Sequence, residues 1–207
     1  MSVAIIDYGS GNLRSAEKAF SRMAQGRAVS LTSNPEHVAK ADHIIVPGVG
    51  AFADCYQGLT ALSGMREAIE QRVLREGRPL LGICVGMQLL CDRGFENGIH
   101  EGLGWIAGDV VPIQKLPEYK IPHMGWNNIS ITEDHPVLAE LDGADMYFVH
   151  SYAAQLADPS ACYARCDYGQ SLPAVIGRDN IIGTQFHPEK SQHAGLHLIQ
   201  NFLAWCP

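Results

Sequence analysis

Leu80-Leu81-Gly82-Ile83-Cys84-Val85-Gly86-Met87-Gln88-Leu89-Leu90-Cys91 is the longest apolar stretch of the chain, and its interruptions decide how it reads. Gly82, Gly86 and Gln88 break it, and it falls well short of the roughly 20 residues that span a bilayer. Leu80 to Ile83 suits a strand buried on both faces, and Gly86 to Cys91 begins a helix. A buried strand that runs straight into a helix belongs to an α/β sheet.

Working outward, the first half keeps that alternation. Val3 to Asp7 is a short apolar strand closed by Tyr-Gly-Ser-Gly, and Leu13 to Met23 has helical spacing. Arg27 to Leu31 is β-like, Asp42 to Val46 is a second buried strand ending at Pro47-Gly48, and Met65 to Glu76 reads as a helix ending at Gly77. Apolar strands alternating with amphipathic helices, joined by right-handed crossovers, imply an open, doubly wound, mostly parallel sheet with helices on both faces. The second half changes character. Val110–Ile113, Asn128–Ile131, Tyr147–Ser151, Cys162–Cys166, Ala174–Ile176 and Ile181–Gln185 are short strand-like pieces, expected as antiparallel strands added beside the parallel core, and Leu196 to Trp205 closes the chain as a helix. No repeat, low-complexity tract or Ser/Gly linker divides the 207 residues, so residues 1–207 read as a single domain.

Composition narrows the function. Hydrophobic residues make up 46% and charged residues 18%, the balance of a globular chain with a sizeable core. Fifteen Lys and Arg against 22 Asp and Glu give a net charge of −7, and no basic run occurs. The phosphate-neutralising stripe of a nucleic-acid binder is therefore missing. The N-terminus, Met-Ser-Val-Ala-Ile-Ile-Asp, lacks a basic leader and reads as a strand rather than a signal peptide, so a soluble, cytoplasmic protein is expected with no membrane partner. Six cysteines form no CxxC pair and no zinc spacing, which points to free thiols in a reducing compartment.

Ligands of open parallel sheets gather at the carboxyl ends of the strands. Three unusual segments fall there: Gly82-Ile83-Cys84-Val85-Gly86, Pro47-Gly48-Val49-Gly50 and Gln185-Phe186-His187-Pro188-Glu189. The first has the form G-x-C-x-G, a thiol version of the nucleophile elbow, in which the two glycines let a strand turn sharply into a helix with the nucleophile at the apex. Cys84 would then stand at a helix N-terminus, where amide dipoles favour thiolate, and the Val85 amide would face a developing oxyanion. On this segment alone, a buried cysteine between two glycines remains an equal reading. A cysteine nucleophile needs a base, and the base an orienting group. In an extended His187-Pro188-Glu189, positions i and i+2 project to one side about 6.5–7 Å apart, so Glu189 could accept from one imidazole nitrogen while the other faces sulfur. Pro188 biases His187 toward the extended region. Alone, His-Pro-Glu reads as a surface turn after a strand; paired with an elbow, the triad is the better reading. Pro47-Gly48-Val49-Gly50 is either a tight strand-to-helix turn or a switchable peptide whose Val49 N–H completes or withholds a second oxyanion donor, with Gly50 supplying the freedom.

Cys84 in G-I-C-V-G-M-Q, with His187 and Glu189 in F-H-P-E, resembles the triad of class I glutamine amidotransferases. Asp7-Tyr8-Gly9-Ser10-Gly11-Asn12-Leu13, Pro47-Gly48-Val49-Gly50, Pro122-His123-Met124-Gly125-Trp126-Asn127, Phe148-Val149-His150-Ser151-Tyr152 and Lys190-Ser191 narrow the resemblance to the branch of glutaminase subunits that serve imidazole glycerol phosphate synthases in histidine biosynthesis. The resemblance implies a glutamine substrate attacked by Cys84, proton shuttling by His187 and orientation by Glu189, with no cofactor. It implies substrate contacts from Gln88 and Glu96 and from main chain at His150, Ser151 and Tyr152. Glu96 lies in Arg93–His100, a segment less acidic than is usual in the family. The partner implied is a (β/α)₈-barrel cyclase subunit in a heterodimer, receiving ammonia and facing Asn12, Trp126, Tyr147 and Lys190, with glutaminase activity low until that partner is loaded.

Other signals carry less. Gly9-Ser10-Gly11 lacks the third glycine of a dinucleotide fingerprint, Arg14 standing there, so a nucleotide cofactor is rejected. His193 and His197 stand four apart without the glutamate of a zinc protease and read as a solvated face, so no metal is expected. Cys162 and Cys166 read as core, and His43 and His135 have no partner pattern. The rivals to weigh are an amidotransferase of another pathway, a stand-alone thiol hydrolase or peptidase, and a non-catalytic flavodoxin-like module.

Overall fold

The computed structural model describes residues 1–207. The first half runs β1 (Ser2–Ile6), α1 (Leu13–Met23), β2 (Ala28–Thr32), α2 (Pro35–Val38), β3 (His43–Gly48), α3 (Phe52–Ala61), α4 (Met65–Glu70), β4 (Leu80–Cys84) and α5 (Val85–Gln88). The second half adds β5 (Arg93–Gly94), β6 (His100–Glu101), β7 (Gly108–Pro112), β8 (His123–Asn128), β9 (Ser130–Ile131), β10 (Asp145–His150), β11 (Tyr152–Leu156), β12 (Cys162–Asp167), β13 (Ser171–Arg178), β14 (Ile181–Thr184) and α6 (Gln192–Ala204). The main sheet has eight strands in the order β2-β1-β3-β4-β14-β13-β12-β9. From β2 to β14 the pairings are parallel, and from β14 to β9 they are antiparallel.

The strand order reverses between β2 and β3. With right-handed crossovers, that reversal sends α1 to one face of the sheet and α2 through α4 to the other. α1 packs on α6, while α2 and α3 pack on α4. α1 buries Ala16, Ala19 and Phe20 along one stripe, and Phe20 meets Phe202 of α6 edge to face at 6.5 Å. β3 and β4 are buried along their whole length, as expected for strands covered on both faces. One hydrophobic core runs from Val3 to Trp205. Cys166 belongs to it, while Cys162 is buried outside that cluster. No helix is long and apolar enough to cross a membrane.

Several expectations change. Ile181–Gln185 was expected among the antiparallel strands, but β14 pairs parallel with β4, Thr184 opposite Ile83, and antiparallel only with β13. A four-residue apolar run carries no signal of direction. Tyr147–Ser151 and Val110–Ile113 leave the main sheet altogether: β10 pairs with β8, and β7 joins β11, β5 and β6. The helix over Met65–Glu76 narrows to Met65–Glu70 and then widens into a π-helical turn, Gln71–Arg75, from which Arg72 donates to the Ala41 carbonyl. α5 ends at Gln88 rather than Cys91, and α6 starts at Gln192 rather than Leu196. α3 escaped the sequence reading because Gly58 breaks its helical pattern. That glycine is needed, since a Cβ there would meet the Tyr8 carbonyl oxygen at 2.6 Å.

The parallel placement of β14 matters most. Gly48 pairs with Cys84 across β3 and β4, and β14 runs beside β4 in the same direction. The carboxyl ends of three neighbouring strands therefore deliver Pro47–Gly50, Cys84 and His187 to one rim.

Candidate active site

The elbow forms as a strained turn. Cys84 has φ 55° and ψ −110°, a conformation that costs an L-residue on the order of 1–3 kcal/mol. Glycines make room for it. A Cβ at Gly82 would meet the Gly86 carbonyl oxygen at 2.6 Å, and one at Gly86 would meet the Val46 carbonyl oxygen at 1.8 Å. The strand, the turn and the start of α5 are thus stacked with no space for side chains. Val85 opens α5, and the first amides of a helix have no partner within it.

His187 arrives from the end of β14 in extended conformation, φ −98° and ψ 98°. Beyond it the chain does not stay extended: Pro188–Lys190 is a 3₁₀ turn. Ser191 Oγ donates to the His187 carbonyl at 2.6 Å and accepts from the Tyr147 amide at 3.0 Å, which closes the turn. The His187 amide donates to the Tyr147 carbonyl at 2.9 Å. The turn still brings Glu189 Oε1 within 2.8 Å of His187 Nδ1. Both side chains are almost wholly buried. His187 Nε2 and Glu189 Oε2 have no hydrogen-bond partner, although buried polar atoms are nearly always paired. Burial pulls the His187 pKa down, but Cys84 and Glu189 outweigh it and raise it to about 9. With Nδ1 given to Glu189, Nε2 is the nitrogen left for the thiol side, where no hydrogen bond yet forms.

A cavity of 280 Å³ opens on these groups. Its size suits a small metabolite rather than a drug-sized ligand. Cys84, His187, Val85, Val49, Gly50, Gln88, Glu96, Ser151 and Tyr152 all line it, and Glu189 stands behind His187. The Val49 amide donates to Ser10 Oγ at 3.3 Å, and the Val49 carbonyl accepts from the same hydroxyl and from Cys55 Sγ at 3.6 Å. In this state that amide is engaged outside the oxyanion position. Gly50 follows with φ +109°, open to few residues other than glycine. Glu96 Oε2 accepts from the Phe52 amide at 2.8 Å, at the start of α3, so Glu96 ties its own loop to the segment after Gly50.

Two groups were missed by the sequence reading. Gln185, fully buried, donates from Nε2 toward Cys84 Sγ at 3.8 Å and accepts from Gln88 Nε2 at 3.0 Å. Its position two residues before His187 is the only hint the sequence holds. His150, expected to act through its main chain, lines the cavity, and its ring bonds His123.

The remaining sequence candidates gather just outside. Trp126 and Tyr147 face each other on β8 and β10 with ring centres 5.9 Å apart, and Lys190 Nζ lies 5.8 Å from the Tyr147 ring centre. Trp126 is 49% exposed, so a large ring is presented to solvent. Asn12 immediately precedes α1 beyond the carboxyl end of β1, on the same rim, and its side chain makes no capping bond. His193 and His197 join no cluster of metal-binding side chains.

Comparison with known proteins bears on the family. The family model for glutamine amidotransferase class-I matches residues 4–205. The chain is 54% identical to the imidazole glycerol phosphate synthase subunit HisH of Rhodospirillum rubrum and 53% identical to those of Brucella suis and Bradyrhizobium diazoefficiens, over the full length of both chains in each case. Among solved structures, one described as a glutamine amidotransferase superposes with a TM-score of 0.75 over 99% of this chain and 100% of that one, at 18% identity. The structure of PurLQS from Thermotoga maritima superposes with a TM-score of 0.72 over 98% and 97%, at 16% identity. At such identities, these likenesses concern the fold alone.

Proposed function

The chain belongs to the class-I glutamine amidotransferase family, and on that premise we propose that Cys84, His187 and Glu189 hydrolyse glutamine here and release ammonia to a second subunit. Its activity is that of the glutaminase subunit of imidazole glycerol phosphate synthase, in histidine biosynthesis.

The observation that carries the site assignment is the buried Cys84 at a strained apex, beside an imidazole that Glu189 holds through Nδ1 and whose Nε2 has no other partner. Cys84 Sγ attacks the side-chain amide carbon of glutamine, and its proton passes to His187 Nε2. The tetrahedral oxyanion is received by the Val85 amide. As the C–N bond breaks, His187 returns the proton to the leaving nitrogen, and ammonia departs from a γ-glutamyl thioester. Water then gives a proton to His187 and its oxygen to the acyl carbon; sulfur leaves, regains the proton, and glutamate is released. Glu189 keeps the imidazole in the tautomer that presents Nε2. Gln88, Glu96 and the Ser151–Tyr152 main chain hold the amino-acid end of the substrate.

The engagement of the Val49 amide by Ser10 Oγ supports an idle resting state with one oxyanion donor of two. Rotation of the Gly48–Val49 peptide, freeing the Val49 N–H from Ser10, would supply the second. The partner is a (β/α)₈-barrel cyclase in a heterodimer, docking on the rim that carries Asn12, Trp126, Tyr147 and Lys190. Residues 1–207 act as a single glutamine amidotransferase domain, a reading supported by the continuous core. Six free thiols favour the cytoplasm.

The test is co-purification with the cyclase followed by a nucleotide-dependent glutaminase assay. Cys84→Ser should abolish glutamine-dependent synthesis and spare synthesis from added ammonia. Loss of both activities would overturn the division of labour.

A further inference from the structure

We infer that His123 and His150 are positioning residues for the glutamine pocket, forming with Asn127 a one-directional hydrogen-bond chain that fixes the Ser151–Tyr152 main chain. The inference rests on the glutaminase reading above and extends it to two buried imidazoles that the chemistry does not use.

The pairing of β8 with β10 sets His123 directly opposite His150, and both are buried. The proton on each ring follows from its neighbours. His150 Nδ1 lies 2.8 Å from the Tyr152 carbonyl oxygen, which can only accept, so Nδ1 carries the proton. His150 Nε2 is therefore bare in the neutral ring and must accept from His123 Nδ1, 2.9 Å away. His123 Nε2 is bare in turn, and it accepts from the Asn127 amide at 3.3 Å. That same amide donates to the Asp167 carbonyl at 2.8 Å. Every link requires the same direction, so neither ring can change tautomer without breaking its neighbour's bond. The His123 ring is also clamped, stacked on Phe148 at 4.7 Å and on Tyr168 at 4.0 Å.

The chain ends at the pocket. The Tyr152 carbonyl accepts a second bond, 3.1 Å from Gln88 Nε2, and the other Gln88 amide hydrogen goes to Gln185, which reaches Cys84 Sγ. A peptide oxygen held from two sides leaves the Ser151–Tyr152 segment little freedom. His150 lines the cavity, yet both of its nitrogens are engaged, so it holds no free lone pair for general-base work. Its part is to place the main chain that receives substrate.

The experiment uses the cyclase-activated complex with glutamine as the titrant. His123→Phe keeps the stacking and removes the donor; His123→Asn places an amide nitrogen near the Nδ1 position and restores it. Losing a buried donor to an acceptor that stays in place should raise KM about tenfold with kcat within about threefold, and the Asn variant should recover most of that loss. Wild-type KM in the Phe variant, equal damage in both variants, or a loss carried by kcat would each overturn the inference. A second readout needs no variant: ¹⁵N spectra of histidine-labelled protein should show His123 and His150 neutral and protonated at Nδ1 at pH 7. An Nε2 proton on either ring overturns the chain. If the wild-type complex cannot hydrolyse glutamine, the glutaminase reading itself fails, and the tautomers alone then judge the chain.

Discussion

Two buried histidine sites adjoin one pocket, one favouring the charged ring and the other the neutral one. His187 is raised to about 9, while His123 and His150 are each lowered to about 4. Burial pushes all three down. Only His187 has an ionisable partner on each side, the Glu189 carboxylate and the Cys84 thiol. The other two meet an amide, each other and a peptide carbonyl, dipoles that fix a neutral tautomer and give a positive charge no counterpart. Partner chemistry, rather than depth, therefore separates the ring that moves protons from the rings that must not.

The contrast breaks furthest in Glu189→Gln. Without the carboxylate, glutaminase activity in the activated complex should fall by roughly 10³- to 10⁴-fold through loss of the productive tautomer. The His187 pKa should drop from about 9, read by NMR titration. An unchanged rate would remove Glu189 from the triad.

The pH dependence of stability tests both sites together. His187 has a folded pKa near 9 against an unfolded value of about 6.5, so its contribution is complete below about 6.5 and is lost as pH rises through 9. His123 and His150 have folded values near 4, so theirs is complete above about 6.5 and is lost as pH falls toward 4. The thermal unfolding midpoint should fall on both arms. Glu189→Gln should flatten the alkaline arm alone, and His123→Phe the acid arm alone. A shared effect on both arms would mean that the two sites are not independent.

Asn127→Ala should do least. It removes the outer, longer link to His123 at 3.3 Å, worth about 1 kcal/mol, together with the bond to the Asp167 carbonyl away from the pocket, and should shift KM for glutamine about two- to threefold. A tenfold shift would place the chain's main support at its exposed end.

Much of the nucleophile's surroundings was legible because close packing leaves a mark on residue choice. Gly82 and Gly86 stand where a Cβ would strike backbone, and Pro188 stands where an extended His187 is needed. The direction of β14 left no mark, since Ile181–Thr184 is buried along its length and would look the same in either orientation. The His123–His150 pair was invisible for a different reason. The residues are 27 apart, and only the register of β8 against β10 makes them neighbours. Gln185 was missed because its role depends on Gln88, which arrives from another strand-to-helix turn.

The place of β14 in the chain has a consequence for biosynthesis. β4 is complete by residue 84, but the strand that covers its free edge is not made until residues 181–184. For about half of translation, the most apolar strand of the sheet is an unpaired edge, the kind that invites chain-to-chain pairing. The thiol meanwhile has no imidazole, so a nascent chain is incapable of squandering glutamine. Ribosomal stalling before residue 181 would leave a sticky and inert product, and the late arrival of one short segment both seals the sheet and arms it.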